Sequence, residues 1–449
     1  MSDGLDREKK EQDAVRCVTS ELLRERYWEF HHRSGLRVQV FPKKRHSCTA
    51  MFTVQFGAKD LAYRTAEGNE VRVPQGTAHF LEHKLFTLPD GSDVSERFAS
   101  LGADANAWTD WDQTSYLFTT TEPPAQALRT LLTFVTHPYF TEQTIEKEQG
   151  IIAQEIRAEE DNPWERLYRQ TMRALYARHP IRYPICGTPS SIRTLTPEIL
   201  YACHAAFYRP ENMTLTVCGD ITWEEVARIA DEALTDWGKN SAGMAGVIRR
   251  RYPETRPPKE KRVVGRAPVA KPLFSLTVKD AGVPQDAVGR LRREVVMGVI
   301  SEALFSRAGS FYNDLFESGH VTPNYSYGYS VTPEIGYHAV SGETDDPDTV
   351  NRAYLSFLEK VRTEGMSPDD FERCRRVLYA GFVSGFDDPE EIADLMVEAQ
   401  GGGYPLFERL RILQDITLEE GNRLLREVMD PEWTVLSILQ SDPPVSGND

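Results

Sequence analysis

The 449-residue sequence contains no uninterrupted apolar run of the ~20 residues that a bilayer-spanning helix needs. Its first residues, MSDGLDREKKEQD, lack the apolar core of a secretory signal, so the expectation is a cytoplasmic protein without membrane insertion. Cysteine is scarce. Cys17, Cys48, Cys186, Cys203, Cys218 and Cys374 form no C-x-x-C pair and show no regular spacing, which suits a reducing compartment and small buried hydrophobes better than ligands. Basic charge is also short: 52 Lys plus Arg against 68 Asp plus Glu leave a net charge of -16, which argues against a nucleic-acid surface and in favour of a basic or extended peptide as partner. The remaining composition, 40% hydrophobic and 27% charged, is that of a globular chain with core enough for roughly two to three domains.

Against that background the stretch from Gly76 to Phe86, GTAHFLEHKLF, stands out. On a helix His79 and His83, four residues apart, project from one face with Glu82 beside them. Two imidazoles so placed reach one zinc ion at ~2.0–2.1 Å, and the carboxylate sits where it takes a proton from a zinc-activated water. The chemistry read from H-x-x-E-H is therefore zinc-assisted hydrolysis. The bland alternative is a core histidine pair satisfied by hydrogen bonds. A third ligand elsewhere in the chain would separate the two.

LRVQVFP (Leu36–Pro42) and CTAMFTVQFGA (Cys48–Ala58) read as a strand pair joined by KKRHS, with Phe52, Val54 and Phe56 alternating as in a sheet covered on one face. Thr77 is the expected N-cap of the histidine helix. A strand is expected from Ala105 to Thr121, then a helix from about Pro124 in which Leu128, Leu131, Leu132 and Val135 form an apolar stripe. The next helix, about Thr141 to Glu160, is more acidic than packing requires. Glu148 and Glu155, seven apart, are nearly eclipsed on it, Glu159 follows one turn on, and they share a face with Ile151 and Ile152. Carboxylates among inward-pointing isoleucines need either water or a cation. One reading is a solvated acidic face; the other is that Glu155, with Glu159 as the alternative, supplies the third metal ligand.

HFLEH followed by EKEQGIIAQE, with 155 − 83 = 72 residues from His83 to Glu155, resembles the pitrilysin/insulinase family of zinc metallopeptidases, in particular its short two-domain inverzincin members similar to processing peptidases. The resemblance implies an α+β fold of two homologous α/β-sandwich domains from an internal duplication, each a mostly antiparallel sheet with helices packed on one face. It implies His79, His83 and Glu155 as ligands of one Zn2+ per chain, Glu82 as general base and Glu148 as a supporting catalytic carboxylate. GADANAWTDWDQTSYLF continues the likeness. In the family its N-A-aromatic-T segment is a sheet edge to which substrate adds as a strand, so Asn106, Ala107 and Trp108 are expected on the substrate backbone. The implied activity is a zinc-dependent endopeptidase acting on peptides or small unfolded polypeptides.

The domains expected are 1–240, with the zinc site; a Gly-, Pro-, Lys- and Arg-rich linker, 241–271; and a duplicated domain without metal, 272–449. The first half closes with a strand, MTLTVCGD (Met213–Asp220), and with Thr222 and Glu225 in capping-box spacing before WEEVARIADEAL. Beyond the linker LFSLTVKDAG, from Leu273, echoes MFTVQFGAKD, from Met51, and the stretch from Gly336 echoes that from Ser115. In that register Gly298, Ser301 and Glu302 stand where the first half has His79, Glu82 and His83, and Cys374 and Gly381 stand for Glu148 and Glu155. The scaffold repeats without the site.

Many active members of the family carry an Arg and a Tyr in the second domain that reach the substrate carbonyl. Here no Arg occurs between Phe311 and Tyr325; Tyr325, Tyr327 and Tyr329 are the candidates for the tyrosine, with Tyr325 assigned to substrate binding. Electrophilic help is then expected either from elsewhere in this chain or from a partner chain. The expectation is a homodimer, or a heterodimer with a related metal-free subunit, acting on peptide. Gly401, Gly402 and Gly403 are either a loop that touches substrate or partner or a helix end. The contrasting class is a structural or assembly subunit of a heteromeric peptidase complex with little activity alone, and the intact His and Glu set argues for the enzyme.

Overall fold

The computed structural model of the chain describes residues 15–65, 68–235, 237, 247–255 and 257–442. Apolar side chains at alternate positions of the early strands build one sheet: β1 (Arg16–Ser20), β2 (Glu25–His31), β3 (Arg37–Pro42), β4 (Cys48–Val54), β7 (Ala103–Thr109), β8 (Thr114–Thr120) and β9 (Met213–Gly219). Their spatial order is β1-β2-β3-β9-β4-β8-β7. β3 and β9 run parallel, and the other neighbours are antiparallel. β3 and β4 are therefore not a pair, because β9 lies between them. The single strand expected over Ala105–Thr121 is a hairpin, β7 and β8. β5 (Ala62–Arg64), β6 (Glu70–Arg72) and β10 (Ile248–Arg249) form a small sheet in the order β10-β5-β6.

One face of the large sheet carries Val38, Val40, Ala50, Phe52, Val54, Tyr116, Phe118, Leu215 and Val217, which form one core with the helices packed on it. The expected helix from Pro124 is Ala125–Thr136, with Leu128, Leu131, Leu132 and Val135 all buried. The other face is not open to water: Thr49, Met51 and Thr53 of β4 are buried as well. It is rich in hydroxyls, which satisfy one another across strands, as in Thr49 with Thr119 (2.9 Å) and Thr53 with Ser115 (2.8 Å).

The second sheet consists of β11 (Arg262–Arg266), β12 (Leu273–Lys279), β13 (Tyr325–Val331), β14 (Gly336–Glu343) and β15 (Thr434–Gln440), ordered β11-β15-β12-β14-β13. This is the arrangement of β3-β9-β4-β8-β7, down to the parallel first pair. The chain is thus an α+β protein of two like, mostly antiparallel sheets with packed helices. Phe274, Leu276, Val278, Val340, Leu436 and Ile438 face the helical core of this sheet.

Two compact units result. The first comprises Met1–Ile156, Pro184–Arg250 and Val383–Gly401; the second comprises Arg157–Tyr183, Arg251–Phe382 and Gly402–Asp449. Each unit thus takes a segment from the half of the sequence that builds the other's sheet. In the first, Phe386 packs on Phe41 (6.1 Å between ring centroids) and Glu390 accepts from Thr119 at 3.5 Å. In the second, Gln170 of the helix Pro163–Leu175 donates to Ser437 Oγ and the Ile438 carbonyl, both at 2.8 Å. Within the 241–271 stretch, residues 241–246 and 256 lie outside the described ones, while β10 and β11 are formed. Gly401 and Gly402 belong to the last turn of the helix Pro389–Gly402, and Gly403 follows at φ 76° as its terminator. All six cysteines are free, and only Cys17 is exposed.

Candidate zinc site

The histidine helix runs Thr77–Leu85. Its N-cap is Gly76 and not Thr77: Gly76 adopts φ 87°, and Thr77 Oγ1 donates backwards to the Pro74 carbonyl at 2.6 Å. A Cβ on Gly76 would lie 2.4 Å from the Cys186 carbonyl oxygen, so both the left-handed backbone and the close approach require glycine. From that start Phe80, Leu81 and Leu85 turn into the core and carry His79 and His83 onto the opposite, more open side. The acidic helix runs Glu142–Asp161 and buries Ile145, Glu148, Ile152 and Ile156. Ile151, expected on the same face, is 47% exposed.

The two helices bring His79, His83 and Glu155 together, one donor atom from each lying within 4.8 Å of the others. His79 Nε2 is 3.4 Å from Glu155 Oε1 and His83 Nε2 is 3.6 Å from Glu155 Oε2. Glu159 is not part of the group, which is the only such cluster among the described residues. Side-chain exposure rises from 12% at His79 through 28% at His83 to 38% at Glu155, so the cluster is sheltered on one side and accessible on the other.

The donor chemistry fits a divalent metal. His83 Nδ1 donates to Glu148 Oε1 at 3.2 Å, and because a carboxylate only accepts, this bond places the ring proton on Nδ1 and a lone pair on Nε2. That lone pair then faces a carboxylate oxygen, and a proton or a metal cation between the two satisfies both. Two imidazoles and one carboxylate with an open fourth position make a catalytic zinc set. Burial works against the Glu148 carboxylate, but His83 and Lys84 outweigh it and hold its pKa below the ordinary value. Hydrogen bonding to His79 does the same for Glu155.

Glu82 is 7% exposed and lies beside this cluster. Burial raises its pKa, opposed by the charges of His79 and His83 and by a hydrogen bond from Thr109. Thr109 Oγ1 donates to Glu82 Oε2 from the end of β7. β7 is an edge of the large sheet, and Asn106, Ala107 and Trp108 lie along it, paired on their inner side with Leu117, Tyr116 and Ser115. Asn106 is exposed, and its Oδ1 accepts from the Ala107 amide at 2.9 Å. Thr109 is the site residue that sequence reasoning passed over, although it is the last letter of the N-A-W-T segment.

Tyr325 opens β13, an edge of the second sheet. Its ring lies 4.8 Å from that of Tyr312, and its buried hydroxyl has no hydrogen-bond partner among the described residues. Tyr327 donates to Glu302, the residue in His83's register, at 2.7 Å, and Tyr329 donates to Asp280 at 2.6 Å. Ser301, in Glu82's register, donates to its own helix at Met297 (2.6 Å).

The geometry is that of a metal-dependent hydrolase built on a duplicated sheet. The chain belongs to the insulinase family, peptidase family M16: the family's model matches residues 67–189, and the model described as the peptidase M16 inactive domain matches 194–378. The relative named "Uncharacterized zinc protease YmfH" of Bacillus subtilis is 34% identical over 420 residues, 92% of this chain and 96% of its own length. The "Probable zinc protease PqqL" of Escherichia coli is 29% identical over 222 residues, 46% of this chain and 23% of its own. The crystal structure of an M16-like peptidase from Alicyclobacillus acidocaldarius superposes with a TM-score of 0.87 at 31% identity, covering 95% of this chain and 99% of that one. A Helicobacter pylori protease shares the fold, with a TM-score of 0.81 at 16% identity over 93% of this chain and 99% of its own. Among the described residues no helix is long and apolar enough to cross a membrane.

Proposed function

We propose that the chain is a zinc-dependent endopeptidase that hydrolyses peptides or small unfolded polypeptides laid as an added strand along β7. The observation that carries this reading is the convergence of His79 Nε2 and His83 Nε2 on the Glu155 carboxylate, with Glu82 buried alongside. Zinc supplies Lewis-acid chemistry at such a cluster, lowering the pKa of water and polarising a carbonyl. Glu82 takes the proton of the attacking water and returns it to the leaving amine. Its raised pKa suits a base that must also give the proton back. Thr109 fixes the direction of that carboxylate from the strand along which substrate would lie. The outer backbone edge of β7, on which no strand pairs among the described residues, would hold the substrate backbone, so recognition is largely main-chain.

The same reading places Glu148 behind His83, where it orients the ring, and assigns Tyr325 to substrate binding. It also includes pairing with a second copy or a metal-free relative, which the absence of an Arg from Phe311 to Tyr325 supports. The test is cleavage of an internally quenched peptide by purified protein. Activity should vanish with a zinc chelator and return with added zinc. Metal-independent cleavage, or none from zinc-loaded protein with or without a metal-free family member, overturns the proposal.

A further inference from the structure

Lys84 follows His83 on the histidine helix and is only 2% exposed, among the largest fully buried side chains of the chain. A lysine seldom gives up water for both stem and ammonium, because an unpaired buried charge costs several kcal/mol. Its partners are therefore informative. Nζ donates to Thr87 Oγ1 at 2.8 Å and lies 3.6 Å from Glu148 Oε2. The other oxygen of the same carboxylate, Oε1, accepts from His83 Nδ1. Two consecutive residues of one helix thus hold the two oxygens of one carboxylate on another helix. The terminal torsion of a glutamate is soft, so a carboxylate held at one oxygen swings, whereas one held at both is fixed in plane and direction.

We propose that Lys84 is a positioning residue of the zinc site: anchored by Thr87, it grips Glu148 from inside the protein, and Glu148 in turn holds the ring of His83 with Nε2 toward Glu155. The inference rests on the zinc reading above and extends it to a residue outside the H-x-x-E-H motif. If Lys84 served only to fill space, an apolar side chain of similar length would do so without a buried charge to compensate.

The readout is zinc affinity, measured by competition with a chromophoric chelator, alongside the melting temperature of the metal-free protein. Lys84→Met should weaken zinc binding by ~10–100-fold, the usual effect of losing an outer partner of a metal ligand. In a Glu148→Gln background the same substitution should leave zinc affinity unchanged, because the residue through which Lys84 acts is already altered. Zinc affinity of Lys84→Met within about twofold of wild type, or an equal loss in the Glu148→Gln background, overturns the proposal. Should Lys84→Met fail to fold, Thr87→Val removes the other anchor of the ammonium and carries the same cycle, with the same result expected and the same results overturning the proposal. A wild-type protein that binds no zinc overturns the metal reading and this proposal together, whereas tight wild-type binding with unaffected variants removes Lys84 alone.

Discussion

Glu155 is where the site closes, since both imidazoles turn their Nε2 atoms toward its two oxygens. Its position was readable because seven residues on a helix return to nearly the same face, so Glu148 and Glu155 could be paired before any tertiary contact was known. His79, Glu82 and His83 were legible for the same local reason. Thr109 and Lys84 were not: a threonine in a strand and a lysine in a helix look like surface residues until tertiary packing sets them against Glu82 and Glu148. Asp110 offers a pH test at this scale. It sits in the β7–β8 turn, where its Oδ1 accepts from the amides of Asp112 (2.6 Å) and Gln113 (2.7 Å). Burial nevertheless pushes its pKa from 3.8 up to about 6. The folded state therefore holds this proton more tightly than the unfolded one, and the associated stability is full below pH 3.8 and lost as pH rises through about 6. Asp110→Asn keeps an acceptor and cannot ionise. Thermal melts of the metal-free proteins at about pH 5 and about pH 7 should show the variant gaining on wild type at the higher pH, and a difference independent of pH would contradict the assignment.

Among the elements, the histidine helix depends on its first residue outside the helix. Gly76→Ala introduces a Cβ 2.4 Å from the Cys186 carbonyl and forces a left-handed backbone on a residue that resists it. The backbone term alone is about 1–2 kcal/mol, and the contact adds to it. The metal-free variant should lose at least that much stability, seen as a lower melting temperature, and bind zinc more weakly, while an unchanged melt would mean that the Gly76 turn does not hold the helix start. The capping box at Thr222 and Glu225 was readable from four consecutive letters and is formed as expected. Strand order was not readable in that way. β9 is inserted between β3 and β4 from more than a hundred and fifty residues downstream, by roughly the separation of Pro42 and Met213, and no local pattern announces a distant neighbour. The hydroxyl-rich rear face of the large sheet carried a hint: Thr49, Thr53, Ser115 and Thr119 alternate with the apolar set, as they would on a wet face, yet Thr49, Thr53 and Ser115 are buried. The exchanged segment Val383–Gly401, with Phe386 on Phe41, explains why one-sided alternation was a misleading sign.

At the scale of the whole molecule, duplication is written in both sheets, and among the described residues a cluster of possible metal ligands occurs only in the first half. The second half repeats the five-strand order, and in the sequence register Ser301 and Glu302 stand opposite Glu82 and His83 of the first, with Tyr327 bonded to Glu302. On the proposed function, the chain would hold one zinc ion, in the half that retains the histidines. The most direct measurement combines metal content and peptide cleavage for wild type, Glu82→Gln and His83→Ala, each purified as the full chain. Wild type should carry about one zinc per chain and cleave; Glu82→Gln should carry the same zinc with turnover reduced by about 10²-fold or more; His83→Ala should lose the metal. Wild-type cleavage rates from Glu82→Gln, or full zinc retention by His83→Ala, would contradict a zinc peptidase centred on HFLEH.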